Sequence, residues 1–156
     1  MMSLRQRFID SFDRGKNGDL GDFVRLISKE PAVVRHLLGM TYHPDRSNRE
    51  LAIRGLGIAA KHHPELVQEV IRRLVWAMND ESGTNGLTAP DVLCAVAREM
   101  PEILLPFIAD LSRLAGDPGL HNGLKALLRQ ISEAFPGEVG QRMGKELSRG
   151  RRRISR

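Results

Sequence analysis

The stretch WAMNDESGTNGLTAPD, residues 76–91, is the part of the chain richest in groups that could do chemistry. Trp76 and Asp80 are four apart, so they share one helix end. Asn79, Glu81 and Gly83 echo the oxygen-donor spacing of a calcium loop, but the glutamate that closes such a loop is missing, because Pro90 stands in its place. Five histidines, at 36, 43, 62, 63 and 121, make no His-x-Glu, His-Glu-x-x-His or clustered ligand pattern. Cys94 is the only cysteine, which excludes an internal disulfide and a cysteine-based zinc site. No Cys-x-x-Cys or evident base accompanies it, so it reads as a small packing residue rather than a nucleophile. GKNGDLGD, at 15–22, has glycines but lacks the Lys-Ser/Thr of a phosphate-binding loop. These residues point to no catalytic set, no metal and no cofactor.

The elements that must position them follow a repeat. PAVV, PELV, PEIL and PGEV begin at residues 31, 64, 101 and 136, and a recurrence of this size marks stacked helical units. Two to three places after the first three prolines come Val33/Val34, Leu66/Val67 and Ile103/Leu104; six to seven after come Leu37/Leu38, Val70/Ile71 and Phe107/Ile108. That is one helical stripe. Counting back from each of the four prolines, eight places give Phe23, Leu56, Leu93 and Leu128, and five give Leu26, Ala59, Val96 and Ile131. The pattern predicts helix pairs at 3–14 with 19–29, 31–42 with 47–62, 64–78 with 88–99 and 102–115 with 119–134, closed by a capping helix at about 138–148. Ser47-Asn48-Arg49-Glu50 reads as a capping box for the second helix of its pair. Thr88-Ala89-Pro90-Asp91 offers a capping hydroxyl, an early proline and an acid. No strand-like alternation occurs.

Helix pairs of this length resemble HEAT-like repeats, and the resemblance is carried by HPDRSNRELAIRGLGIAA (43–60) and GDPGLHNGLKALLRQISE (116–133), with Asp-Pro or Pro-Asp in the turn, an early basic residue and then Ala, Leu and Gly positions. It covers roughly residues 19–135. The third pair departs from it, since its turn is stretched and has no Asp-Pro; N-D-E-S-G followed by A-P resembles a bacterial branch of the superfamily that brings no activity with it. The resemblance implies an all-α, right-handed α-solenoid of about four helix pairs in residues 1–147, whose second helices line the concave side. HEAT-like DNA glycosylases that remove alkylated bases use a Trp and an Asp on that side, which Trp76 and Asp80 resemble. A glycosylase also needs a basic groove and a second tryptophan, and this chain has one. The plainer expectation packs Trp76 between repeats, with Asp80 bonding backbone N–H groups of the turn as Asp45 and Asp117 would.

Charge narrows the partner. The formal net charge is +5, yet Ser148–Arg156 alone holds Arg149, Arg151, Arg152, Arg153 and Arg156 and no acid. The body is neutral, and residues 148–156 are expected to form a basic, flexible tail that either binds RNA, DNA or acidic lipid non-specifically or serves as a disordered solubilising end. No apolar run approaches the ~20 residues of a membrane span. The opening MMSLRQRFIDSFDR has no apolar signal-peptide core, so a cytoplasmic, non-membrane protein is expected. Counting back ten, seven and three places from the prolines puts Arg54 and Asp91, then Gly57, Cys94 and Arg129, then Lys61, Arg98 and Glu133 on one face. Residues 31–63 carry five basic and two acidic groups, while 64–100 carry three and six. Adjacent opposite signs suit a protein or peptide better than a uniform phosphate backbone; the plainer reading pairs Arg54 with Asp91 between repeats. The function expected is thus a non-enzymatic interaction module that binds through Arg54, Lys61, Asp91, Cys94, Arg98 and Arg129, with Asp80 and Glu81 in a 79–87 rim loop. A nucleic-acid-binding relative of the glycosylases is the alternative.

Overall fold

A computed structural model describes residues 1–80 and 88–141. The described chain is all helical, with no strand among the described residues. Its elements are α1 (Leu4–Lys16), α2 (Gly21–Lys29), α3 (Val33–Met40), α4 (Arg46–His62), α5 (Pro64–Asn79), α6 (Ala89–Glu99), a 3-10 segment (Pro101–Phe107), α7 (Ile108–Leu114) and α8 (His121–Ala134). The capping helix is expected at about 138–148; residues 138–141 are helical, and the remainder lies outside the described residues.

Successive pairs pack internally: α1 on α2, α3 on α4, α5 on α6, α7 on α8. The even-numbered helices also pack on one another in order, α2 on α4, α4 on α6 and α6 on α8, with the α4–α6 contact the most extensive. The buried apolar residues form one continuous core from Phe8 to Val139. The proline-anchored stripes lie within it. Phe23, Leu56 and Leu93 are fully buried, as are Ala59, Val96 and Ile131, while Leu128 is partly buried. Leu66 is the clear exception, exposed while its neighbour Val67 points inward.

Local chemistry explains most boundaries. The α1–α2 turn uses the glycine-rich stretch at 15–22: Gly18 has φ +96°, a backbone conformation that favours glycine. Pro64 sits in the first turn of α5, where its missing N–H has no bond to lose. His63, at the corner before it, donates through Nε2 to the Ile27 carbonyl at 2.7 Å and ties that corner to α2. The first helix of the fourth pair, expected as one α-helix, begins instead as the 3-10 segment. Pro106 lies inside it; it supplies no N–H to an i−4 bond and its ring crowds the carbonyl four residues back, so regular α geometry starts only at Ile108.

The cap of α4 also differs from the capping box expected at Ser47. Asp45 is the N-cap, and its carboxylate accepts from the backbone N–H groups of Ser47 at 2.8 Å and Asn48 at 3.2 Å. Ser47 is inside the helix, with its hydroxyl donating to the same carboxylate, and Glu50 pairs with Arg46 at 2.8 Å. These bonds, Ser47 first, hold the Asp45 carboxyl below its ordinary pKa. A group whose pKa is lowered on folding adds stability above the unfolded pKa and loses it as pH falls through the folded one. Asp45→Ala is therefore expected to lower the melting temperature at neutral pH. The gap from the unsubstituted protein should narrow once the pH drops below the usual carboxylate range, which thermal melts across acid pH would measure.

Candidate functional site

The even-numbered helices approach closely because small residues meet where they cross. A Cβ on Gly57 of α4 would lie 2.7 Å from the Ala95 carbonyl oxygen of α6, and one on Gly123 of α8 would lie 2.7 Å from Pro90 Cβ. Side chains flanking these contacts have no room between the helices and stand along their outer surface. The result is an open groove of about 720 Å³ across α4, α6 and α8. Arg54 lines it from α4, Asp91, Cys94 and Arg98 line it from α6, and Ala95, Gly123 and Ala126 form much of its small-residue floor.

Four of the expected partner-facing residues are thus brought together, and a fifth flanks them. Arg129 is exposed on α8, one helical turn beyond Ala126. The pairing of Arg54 with Asp91 is not what the structure shows. Among the described residues Arg54, Asp91, Arg98 and Arg129 enter no ion pair. The cross-helix pair is instead Lys61 with Glu99, Nζ to Oε2 at 3.0 Å, so the Lys61 charge is already compensated inside the molecule. Arg46 and Glu50, at the α4 edge of the groove, compensate each other in the same way. Among the described residues this leaves the guanidiniums of Arg54, Arg98 and Arg129 and the carboxylate of Asp91 outside any ion pair.

Cys94 is half-buried in the groove wall. Burial raises its thiol pKa, the Asp91 carboxylate adds to that, and Arg98 opposes it. The thiolate is disfavoured, which suits the packing role expected from sequence. No three His, Cys, Asp or Glu side chains come together as a metal site among the described residues.

The remaining candidates lie elsewhere. Thr88 holds the N-cap position of α6 as expected, but its side chain makes no capping bond; Pro90 and Asp91 occupy the first turn. Asp80 is exposed at the C-cap of α5, where its N–H bonds the Ala77 carbonyl at 3.2 Å. The turn it was expected to bond, including Glu81 and the rest of the rim loop to residue 87, lies outside the described residues, as do Arg149, Arg151, Arg152 and Arg153 of the tail. The counterpart acid Asp117 does act in its turn, accepting from the Gly119 N–H at 2.8 Å. Trp76 overturns its expectation. It does not pack between repeats but is 71% exposed on α5, a helix that contributes nothing to the α4–α6–α8 groove. No family model matches the chain, and comparison with curated proteins and with solved structures returns no match. No described helix is long and apolar enough to cross a membrane.

Proposed function

We propose that the chain is a non-enzymatic interaction module: a right-handed α-solenoid of about four HEAT-like helix pairs that holds a protein or peptide along the groove of α4, α6 and α8. The observation that supports this reading most directly is the imbalance inside that groove. Arg54 and Arg98 in the groove and Arg129 beside it enter no ion pair among the described residues, while the neighbouring charges Lys61, Glu99, Arg46 and Glu50 do. Guanidiniums carried on rigid helices over a floor of small residues present planar forks that bind carboxylates bidentately, with the backbone beneath them already ordered. Asp91 asks in turn for a basic group on the partner, which argues for a polypeptide of mixed charge over a phosphate backbone. Stacked helices supply such a surface without any catalytic pocket.

The test is charge reversal. Arg54→Glu combined with Arg98→Glu should weaken retention of specific partners in quantitative pull-downs by about tenfold or more, the equivalent of about 1.4 kcal/mol. An unchanged set of partners at unchanged strength rejects the groove. One observation favours a second reading, a nucleic-acid-binding relative of the alkylated-base glycosylases: Trp76 is exposed beside Asp80 rather than buried. That reading requires salt-sensitive DNA binding that survives removal of residues 148–156.

A further inference from the structure

Monomeric proteins scatter single apolar residues over their surfaces, but aromatic residues grouped with arginine on rigid helices have the composition of an interface centre. Of the six large apolar residues exposed among the described residues, three belong to one pair of neighbouring helices and its flank: Leu66 (43% exposed) and Trp76 (71%) on α5, and Tyr42 (48%) just past α3. Leu66, Glu69, Arg73 and Trp76 follow helical spacing and form one stripe along α5; Arg35, Leu38 and Tyr42 do the same beside α3. Between the two helices lies a cleft of about 370 Å³, with Val34, Leu38, Leu66 and Val70 supplying apolar walls and Arg35 and Arg73 its basic edge. Glu69, the acid within the cleft, is engaged by Arg72, which leaves Arg35 and Arg73 with no ion pair among the described residues.

We propose that this face of α3 and α5 is a second docking surface, separate from the α4–α6–α8 groove, and that it takes a segment of a partner protein carrying an apolar side chain flanked by carboxylates. The apolar side chain fills the cleft, the carboxylates meet Arg35 and Arg73, and Trp76 closes over the end of the segment nearer the C-terminus of α5. Complementary charge sets the chemistry of the occupant: two guanidiniums outside any ion pair among the described residues border an aliphatic slot whose one acid is already neutralised. A concave slot fits a side chain better than a lipid surface, which favours apolar groups that protrude together.

Trp76 is the only tryptophan in the chain, so its emission reports on binding at the C-terminal end of α5 on this face. The full chain is used to select peptides from a random display library free of tryptophan, and the enriched peptides are then titrated while Trp76 emission is followed. The expected peptides carry acids around an aliphatic or aromatic residue and shift Trp76 emission to shorter wavelength in a saturable way. Arg35→Glu with Arg73→Glu, two exposed positions, should weaken them tenfold or more with the thermal melt unchanged. Peptides whose acids are replaced by lysine should recover binding to that variant, and Arg54→Glu should leave affinity intact. Three results overturn the proposal: no selected peptide shifts Trp76 emission; reversal at Arg35 and Arg73 leaves affinity unchanged; or vesicles of phosphatidylcholine with phosphatidylserine shift the emission as strongly as the best peptide.

Discussion

Leu93→Ala is expected to destabilise the protein by about 2–5 kcal/mol, the range for deleting a buried leucine side chain. Leu93 is fully buried on α6, the helix that packs against α4, α5, α8 and the 3-10 segment. Its loss leaves a cavity walled on several sides by different elements, which cannot all collapse inward together, so the upper half of that range applies. For a chain of this length each kcal/mol corresponds to about 2–4 °C in melting temperature. A fall of about 10 °C in a thermal melt is therefore the expected reading. Leu128→Ala provides the comparison. Leu128 holds the same place in the next helix pair but is only partly buried, so it should lose distinctly less. Equal effects at the two positions would mean that α6 is not the centre of the core.

Leu93 could be identified as central because the stripes that recur around Pro31, Pro64 and Pro101 have the period of a helix face, and burial in one continuous core is what such stripes are for. For Trp76 residue type and register point in opposite directions. The buried positions of α5 are Val67, Val70, Ile71, Leu74, Val75 and Met78, and Trp76 falls between them on the opposite stripe with Glu69 and Arg73. Its register pointed outward, whereas its bulk and apolarity suggested the core. The α4 cap is Asp45, two residues before the serine that the capping-box pattern favours. The stretch Asp45-Arg46-Ser47-Asn48 holds two competent caps in a row, and nothing in their spacing ranks an aspartate bonding two and three residues ahead above a serine followed by Glu50.

The groove was legible to the extent that register defines it. Arg54, Asp91, Cys94 and Arg98 fall on one face of their helices, and the helices lie side by side. Which charges neutralise each other was not legible. Lys61 finds Glu99 rather than a residue of its own column because the pairing depends on the axial offset between α4 and α6 and on side-chain length, and neither is encoded in spacing along one helix. The offset itself comes from the crossing at Gly57 and Ala95, where the backbones approach within the distance that a single methyl group would occupy.

That crossing carries the second large effect. Gly57→Val is expected to lower stability by about 3 kcal/mol, at the top of the usual range for overpacking a core. Glycine in mid-helix is ordinarily a weakness, and replacing it with a better helix former raises stability by up to about 1 kcal/mol. Gly39, in the last turn of α3, is unobstructed: a Cβ there would meet nothing within 4 Å, so Gly39→Ala should stabilise by a fraction of that amount. At Gly57 the added carbon would lie 2.7 Å from the Ala95 carbonyl oxygen and 3.0 Å from its carbonyl carbon. These are backbone atoms held in α6, and they cannot swing aside as a flexible side chain can. The helices must separate, which disturbs the most extensive helix–helix contact in the molecule and widens the groove between Arg54 and Arg98. Urea denaturation of the Gly57→Val and Gly39→Ala proteins should give shifts of opposite sign. Any partner that binds across α4 and α6 should also bind Gly57→Val more weakly under conditions where that variant remains folded. A Gly57→Val protein as stable as the original would mean that α4 and α6 do not meet backbone to backbone, and the groove built on their contact would have no rigid floor.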